Sequence, residues 1–139
     1  TVVLCSKEAK TCTGKFVARE EAQVAMRDVQ VDDYDRFAFI GGPGAHALRD
    51  DLEALELART IDASGKIFGA ICIAPTILAA AGVLKGKKST VWNNDDKQSA
   101  YIEEHGATYV SKPVVTDGLL VTADGPEAAT EFGRVLAQL

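Results

Sequence analysis

Cys72 is the residue of this chain best placed to act as a nucleophile. It follows the apolar run Lys66–Ile71, which is typical of a buried strand, and precedes Ala74–Ala81, whose pattern predicts a helix. At such a junction the helix dipole and free backbone N–H groups lower the pKa of a thiol, and the thiolate is the reactive species. The alternative is a buried cysteine that serves as a small apolar side chain.

The elements that must position Cys72 alternate between strand and helix. Strand patterns occur at Val2–Cys5, Phe37–Ile40, Ile67–Ile71, Ser89–Trp92, Val114–Thr116 and Leu119–Thr122. Helical patterns occur at 48–61, 74–81, 94–104 and from Gly125 to the last residue. This alternation predicts one α/β unit with a mostly parallel sheet covered on both faces. Val2–Cys5 is predicted to be buried and Phe37–Ile40 to be an inner strand. Segments 15–19 and 24–29 predict a small hairpin arm, and Asp117-Gly118 predicts a tight hairpin.

Length and charge exclude several classes of protein. A chain of 139 residues is one domain with room for a core, and 47% hydrophobic and 25% charged residues are typical of soluble globular proteins. The net charge of −5 and the lack of a basic stripe argue against a nucleic-acid partner. The apolar stretches are too short to span a membrane. Three cysteines and no secretory leader favour the reducing cytoplasm.

The sequence also argues against a bound metal or cofactor. A metal site needs several ligands at short spacing in the sequence, and this chain offers only Cys5, Cys12 and two distant histidines. The glycine turn, which we define as Gly41–Gly44, lacks the spacing of a dinucleotide loop, and no phosphate-binding lysine follows it. We therefore predict no cofactor.

Four segments in series resemble the ThiJ/PfpI family, which includes intracellular protease and amidase homologues and the parkinsonism-associated deglycase. They are Val31–Asp35 leading into Phe39–Gly44, Ala70–Pro75, Ala80–Lys88 and Asp117–Ala129. The resemblance covers essentially the whole chain. It implies a flavodoxin-like three-layer α/β sandwich, a reactive Cys72 and a homo-oligomer, to which the hairpin arm would contribute.

The resemblance further implies an oxyanion hole formed by the backbone N–H groups of Gly42 and Ile73. Such donors stabilise negative charge that develops on a substrate oxygen. The substrate pocket is expected to include five more residues: Gly41, His46, Ala74, Trp92 and Asn93. Taken alone, the glycine turn also fits a simple strand-to-helix connection, and Trp92 also fits a core position.

The chain departs from the family pattern at three places. Many members carry a histidine directly after the cysteine, where this chain has Ile73, and some carry another histidine near position 92, where this chain has Trp92. Members also open with a βα unit that supplies the central strand and a glutamate that reaches the thiol. This sequence starts at what resembles the second strand, so we expect a preceding segment, or another chain, to fill that position and supply the acidic group.

These features favour an enzyme in which Cys72 attacks small reactive carbonyl compounds, such as methylglyoxal or glycated adducts, with water as co-substrate. One alternative is a non-catalytic, stress-protective homodimer that senses oxidants through Cys72. A further alternative is an intracellular protease or amidase. It ranks lower because a cysteine protease needs a proton acceptor beside the thiol, and position 73 is an isoleucine.

Overall fold

The computed structural model describes all 139 residues and contains ten strands and four helices. In chain order, the strands are β1 (Cys5–Ser6), β2 (Thr11–Thr13), β3 (Arg19–Glu21), β4 (Val24–Ala25), β5 (Arg36–Ile40), β6 (Ile67–Ile71), β7 (Lys88–Ser89), β8 (Thr108–Tyr109), β9 (Val114–Asp117) and β10 (Leu120–Ala123). The helices are α1 (Leu52–Ala63), α2 (Pro75–Ala80), α3 (Lys97–Glu104) and α4 (Ala129–Gln138). Short 3-10 segments occur at Met26–Asp28, Val31–Asp33, Pro43–Asp50 and Pro126–Ala128.

The largest sheet has the order β5-β6-β10-β9, so β6 and β10 are its inner strands. Strands β5, β6 and β10 run parallel, whereas β9 pairs with β10 in the antiparallel sense. The remaining strands form three two-stranded sheets, β1-β4, β2-β3 and β7-β8. The predicted mostly parallel α/β architecture is therefore confirmed.

Helices cover both faces of this sheet because successive side chains of a strand point to opposite sides. Phe68 and Ala70 of β6 pack in the main hydrophobic cluster with residues of α1, α2 and α3. Ile71 of the same strand packs in a second cluster with Phe132 of α4. The result is the expected three-layer sandwich. No helix is long and apolar enough to cross a membrane.

Two predictions about burial are wrong. Val2–Cys5 was expected to form a buried strand, but Val2 is 81% exposed, Cys5 is exposed, and β1 pairs only with the short strand β4. Phe37–Ile40 was expected to be an inner strand, but β5 lies at the edge of its sheet, and Ile40 is 68% exposed. An apolar run indicates a strand, but the number of strands that flank it depends on distant parts of the chain.

Three boundaries also differ from the prediction. The hairpin arm exists, but it consists of β2 and β3 around a turn at Gly14–Ala18, while β4 pairs with β1 instead. The predicted strand Ser89–Trp92 is regular only at Lys88–Ser89, because the Thr90 N–H donates to the Thr122 side-chain oxygen at 2.9 Å rather than to a neighbouring backbone. In the β9–β10 hairpin Asp117 pairs with Leu120, so the loop is Gly118-Leu119, one residue later than predicted.

Helix α4 packs closely against the sheet at Gly69. A Cβ at Gly69 would lie 2.7 Å from a ring carbon of Phe132 and 2.7 Å from the Val121 carbonyl oxygen. We therefore expect Gly69→Ala to lower the free energy of unfolding by about 1–3 kcal/mol through overpacking.

Gly133→Ala is the matched control for Gly69→Ala in thermal or urea unfolding. Gly133 lies on the exposed side of α4, and a Cβ there would meet no atom within 4 Å. Alanine is favoured over glycine inside a helix by about 1 kcal/mol, so the control variant should be slightly more stable than the wild type. Equal stability of the two variants would contradict this account of the α4 contact.

Candidate active site

The strand register brings Gly41, Cys72 and Asp124 side by side at one edge of the main sheet. Ile40, Ile71 and Ala123 are the last residues of β5, β6 and β10, and both Ile40 and Ala123 pair with Ile71. The residue that follows each strand therefore emerges at the carboxyl edge of the parallel strands. Open α/β sheets bind their ligands outside this edge.

Cys72 turns the chain sharply from β6 toward α2. Its N–H donates to the Ala123 carbonyl at 2.9 Å, which extends the sheet by one hydrogen bond, and its carbonyl accepts the Trp92 N–H at 2.9 Å. Its backbone φ is +62°, in the left-handed region that costs a residue with a Cβ about 1–2 kcal/mol. Strain of this kind persists where the surrounding structure holds the residue, and it often marks functional sites.

The three residues after β6, Cys72–Ala74, form the sharp turn into α2, and we call them the elbow. The glycine turn packs directly against this elbow. The Gly41 N–H donates to the Ile71 carbonyl at 3.1 Å. A Cβ at position 41 would lie 2.6 Å from the Ile71 oxygen, 2.6 Å from the Ile73 nitrogen and 2.9 Å from the Ala74 nitrogen. Only glycine fits position 41, because each of these contacts is to backbone. The glycine turn and the elbow are therefore in direct contact, and their joint role in one site stays a prediction.

Two backbone N–H groups, one in the glycine turn and one in the elbow, have no backbone acceptor. Neither Gly42 nor Ile73 donates a backbone–backbone hydrogen bond, whereas their neighbours Gly41 and Ala74 both donate to the Ile71 carbonyl. The Ile73 N–H lies close enough to the Cys72 sulfur to lower the pKa of the thiol. The sequence assigned these two donors to an oxyanion hole, and that assignment stays a prediction.

The Cys72 thiol is less acidic than the sequence suggested. Burial raises its pKa above the ordinary value; the Ile73 N–H and the Lys15 ammonium oppose this change, and the Asp124 carboxylate adds to it. The sequence prediction of a lowered pKa is therefore wrong in this structure. Helix α2 has only six residues, so its dipole is short and does not offset the cost of burying a thiolate.

This shift predicts the pH dependence of Cys72 alkylation. Because burial disfavours the thiolate, the midpoint of the rate against pH should lie above that of the same cysteine in the urea-unfolded chain. The measurement is iodoacetamide labelling with peptide mapping, which reads Cys72 separately from Cys5 and Cys12. A midpoint in the folded chain below that of the unfolded chain would contradict the effect of burial.

Trp92 contacts the backbone of the elbow, and Asn93 follows it in the chain. The Trp92 N–H binds the Cys72 carbonyl, and its indole ring lies next to Gly125. The Asn93 side-chain oxygen accepts the Ser99 N–H at 2.8 Å, so this residue also holds the start of α3. Asn93 lines a polar cavity of about 310 Å³ that also includes Asp124.

His46 and Ala74 have other roles in the structure. His46 pairs through Nδ1 with the Arg49 guanidinium, which lies over the Tyr101 ring, and no hydrogen bond joins His46 to Cys72. The Ala74 side chain is fully buried in the main hydrophobic cluster, so it packs the core rather than facing solvent. Ile73 is also buried, and it offers the site only its backbone.

Asp124 is the residue near Cys72 to which the sequence assigned no role. It follows directly after β10 and is half-buried, and its carboxylate forms no ion pair. The signal was its place immediately after a predicted strand, but only the register with β6 shows that this place adjoins Cys72. No three histidine, cysteine or carboxylate side chains converge in a way that could hold a metal ion.

The chain is similar to proteins that are named as a deglycase and a glyoxalase. It is 32% identical to deglycase PfpI of Pyrococcus furiosus, covering 90% of this chain and 74% of that protein. It is 34% identical to the glutathione-independent glyoxalase DJR-1.2 of Caenorhabditis elegans, covering 87% of this chain and 63% of that protein. The chain thus spans less than two thirds of the length of the worm relative.

Structural comparison agrees with the sequence comparison. The fold matches the crystal structure of a ThiJ/PfpI domain protein from Brachyspira murdochii with a TM-score of 0.92 and 26% identity, covering 98% of this chain and 77% of that one. This match establishes the flavodoxin-like α/β fold that the resemblance implied. The DJ-1/PfpI family model matches residues 1–139. The chain therefore belongs to the DJ-1/PfpI family.

Proposed function

We propose that this chain forms a cysteine-dependent active site that acts on small reactive carbonyl compounds or glycated adducts. Cys72 is the nucleophile, and the Gly42 and Ile73 N–H groups hold the oxyanion. The observation that carries the proposal is the elbow. Cys72 is held at φ +62°, the glycine turn packs against the elbow, and the N–H groups of Gly42 and Ile73 have no backbone acceptor. The names of the relatives support the choice of substrate class.

In the proposed first step, the Cys72 sulfur attacks the aldehyde carbon of a substrate such as methylglyoxal. A C–S bond forms, and the electron pair of the carbonyl π bond moves to oxygen, where the two N–H groups stabilise the charge. The thiol proton ends on this oxygen, so the product of addition is a hemithioacetal. Conversion of methylglyoxal and water to lactate needs no external oxidant, because one carbon is oxidised while its neighbour is reduced.

The raised pKa of Cys72 affects how this step must proceed. At neutral pH the resting group is the thiol, so deprotonation has to accompany attack. Asp124 is the carboxylate whose charge acts on Cys72, and it is our candidate to accept the proton. A rate of carbonyl consumption that rises with pH is expected for the same reason.

The two alternative functions have less support. Oxidation of a sensor cysteine follows its thiolate character, which burial reduces at Cys72. A protease would need an imidazole beside the thiol, but His46 is engaged with Arg49. We place the activity in the cytoplasm, since all three cysteines are free.

The test of this function is the consumption of methylglyoxal by the purified chain, followed through the lactate formed. We expect catalytic turnover that needs no added thiol or cofactor. Stoichiometric loss of methylglyoxal without lactate would contradict the proposal, because it would indicate simple scavenging by surface groups.

We further propose that the chain forms a homo-oligomer through its hairpin arm, which we define as Thr11–Glu21. Phe16 and Val17, at the tip of the arm, are each 82% exposed, and apolar groups of this size favour burial in an interface. Replacing both with serine should lower the mass measured by analytical ultracentrifugation to that of the monomer. An unchanged sedimentation profile would rule out the arm as the contact.

A further inference from the structure

Thr76 is the one residue of helix α2 with a polar side chain, and it is fully buried. Its hydroxyl donates to the Ile73 carbonyl oxygen at 2.7 Å, and its N–H donates to the same oxygen at 3.1 Å. A buried hydroxyl costs stability unless it forms a hydrogen bond. Valine has the same shape and carries no such cost, so packing alone does not explain a threonine at position 76.

The hydroxyl supplies a hydrogen bond that the first turn of α2 does not provide. In a regular α-helix the Ile73 carbonyl would accept the Ile77 N–H, four residues later. Here the Ile77 N–H donates to the Ala74 carbonyl at 2.9 Å instead. Without its hydroxyl, Thr76 would hold the Ile73 carbonyl only through the longer bond from its own N–H.

The two peptide groups that flank the Ile73 α-carbon are held by different elements. The peptide that contains the Ile73 N–H also contains the Cys72 carbonyl, which accepts the Trp92 N–H at 2.9 Å. The next peptide contains the Ile73 carbonyl, which Thr76 holds. Because a peptide group is planar, holding its oxygen also fixes the direction of its N–H. With both planes held, the backbone of Ile73 has little freedom to rotate.

We propose that Thr76 is a positioning residue of the site: its hydroxyl fixes the backbone of Ile73 and so keeps the Ile73 N–H next to the Cys72 sulfur, where it can bind the oxygen of a carbonyl substrate. Thr76 acts through Ile73 rather than on the substrate. The part of this inference that concerns the substrate rests on the proposed function, whereas the effect on the sulfur does not.

Thr76→Val removes the hydroxyl and keeps the shape of the side chain. The Ile73 N–H lowers the pKa of the Cys72 thiol, so a looser Ile73 backbone should raise that pKa and reduce the thiolate fraction at neutral pH. We expect a reduction of about three- to tenfold, the range of one net hydrogen bond. The measurement is the pH profile of iodoacetamide labelling at Cys72, whose midpoint should move to higher pH. Thr76→Ser keeps the hydroxyl and should restore the midpoint of the wild type.

Thr90→Val is the matched control for Thr76→Val. Thr90 is also a fully buried threonine, but its hydroxyl has no hydrogen-bond partner. Its replacement should leave the labelling midpoint of Cys72 unchanged. Thermal unfolding of every variant establishes that each is folded at the labelling temperature.

The activity of Thr76→Val adds a second measurement. Negative charge on the substrate oxygen develops fully only in the transition state, so a displaced N–H donor should affect kcat more than KM. We expect kcat for methylglyoxal to fall by about three- to tenfold, with KM near that of the wild type.

Two outcomes would overturn the role of Thr76. If Thr76→Val melted earlier but kept the labelling midpoint of the wild type, the hydroxyl would serve stability alone. Equal shifts in Thr76→Val and Thr90→Val would mean that the loss of any buried hydroxyl nearby has this effect. Should Thr76→Val fail to fold, Thr76→Ser and Thr76→Ala differ by one hydroxyl and give the same comparison. A shifted midpoint in a protein that forms no lactate would support the role of Thr76 and reject the proposed activity, so the two failures are distinguishable.

Discussion

Cys72→Ala is expected to abolish the consumption of methylglyoxal, with a loss on the order of a thousandfold or more. Removal of a nucleophile leaves only the catalysis that the oxyanion donors and the pocket supply without it. The fold should survive, because alanine keeps the Cβ and therefore the same backbone strain at φ +62°. The measurements are the initial rate of lactate formation and the midpoint of thermal unfolding.

Cys12→Ala is the matched control for this substitution. Cys12 is also a free, partly exposed cysteine, but it lies in strand β2 of the hairpin arm, and no part of the proposed chemistry is assigned to it. Its loss should leave the rate of lactate formation within about twofold of the wild type. If Cys72→Ala retained full activity, the assignment of Cys72 as nucleophile would be wrong.

Gly41→Ala is expected to have the second largest effect, on both stability and activity. The new methyl group would overlap three backbone atoms at 2.6–2.9 Å, and none of them belongs to a flexible side chain. Overpacking of this kind costs about 1–3 kcal/mol or more. Relief of the overlap has to move the glycine turn away from the elbow, and a shift of about 1 Å in a catalytic group can cost about a hundredfold in rate.

Gly42→Ala separates this steric effect from the general loss of a glycine. A Cβ at Gly42 would meet no atom within 4 Å, and its φ of 173° is extended backbone that any residue adopts. The variant also keeps the N–H group assigned to the oxyanion hole. Its unfolding midpoint should therefore stay near that of the wild type. A Gly41→Ala protein as stable as Gly42→Ala would show that the turn does not fix the elbow.

The sequence predicted the strand and the helix on either side of Cys72 better than it predicted what surrounds them. The junction between β6 and α2 could be found from residues 66–81, because an apolar run, a cysteine and a helical pattern are adjacent in the chain. The ends of α1 and α2 followed from Gly65 and Gly82, which adopt positive φ just after these helices. The start of α1 did not: the helical pattern begins at position 48, whereas the structure has a 3-10 segment at Pro43–Asp50 and α1 begins at Leu52. Local patterns of this kind depend on few residues, so they can be read without knowledge of the fold.

Features that depend on distant segments could not be predicted in this way. The exposure of Val2 and Ile40 is set by which strands pair with β1 and β5. The pKa of Cys72 depends on burial by surrounding elements and on Asp124, which is more than fifty positions away in the sequence. The resemblance to a family assigned Gly42 and Ile73 to an oxyanion hole, but only the hydrogen-bond pattern shows that neither N–H has a backbone acceptor.

The most direct test of the account is to observe which atom of the protein bonds to the carbonyl carbon. We would add methylglyoxal labelled with ¹³C at the aldehyde to a Cys5→Ser, Cys12→Ser protein, in which Cys72 is the single remaining thiol. The account predicts a saturable ¹³C resonance of a sulfur-bound tetrahedral carbon, absent when Cys72→Ala is added. If only free and hydrated methylglyoxal were detected while lactate still formed, Cys72 would not be the nucleophile.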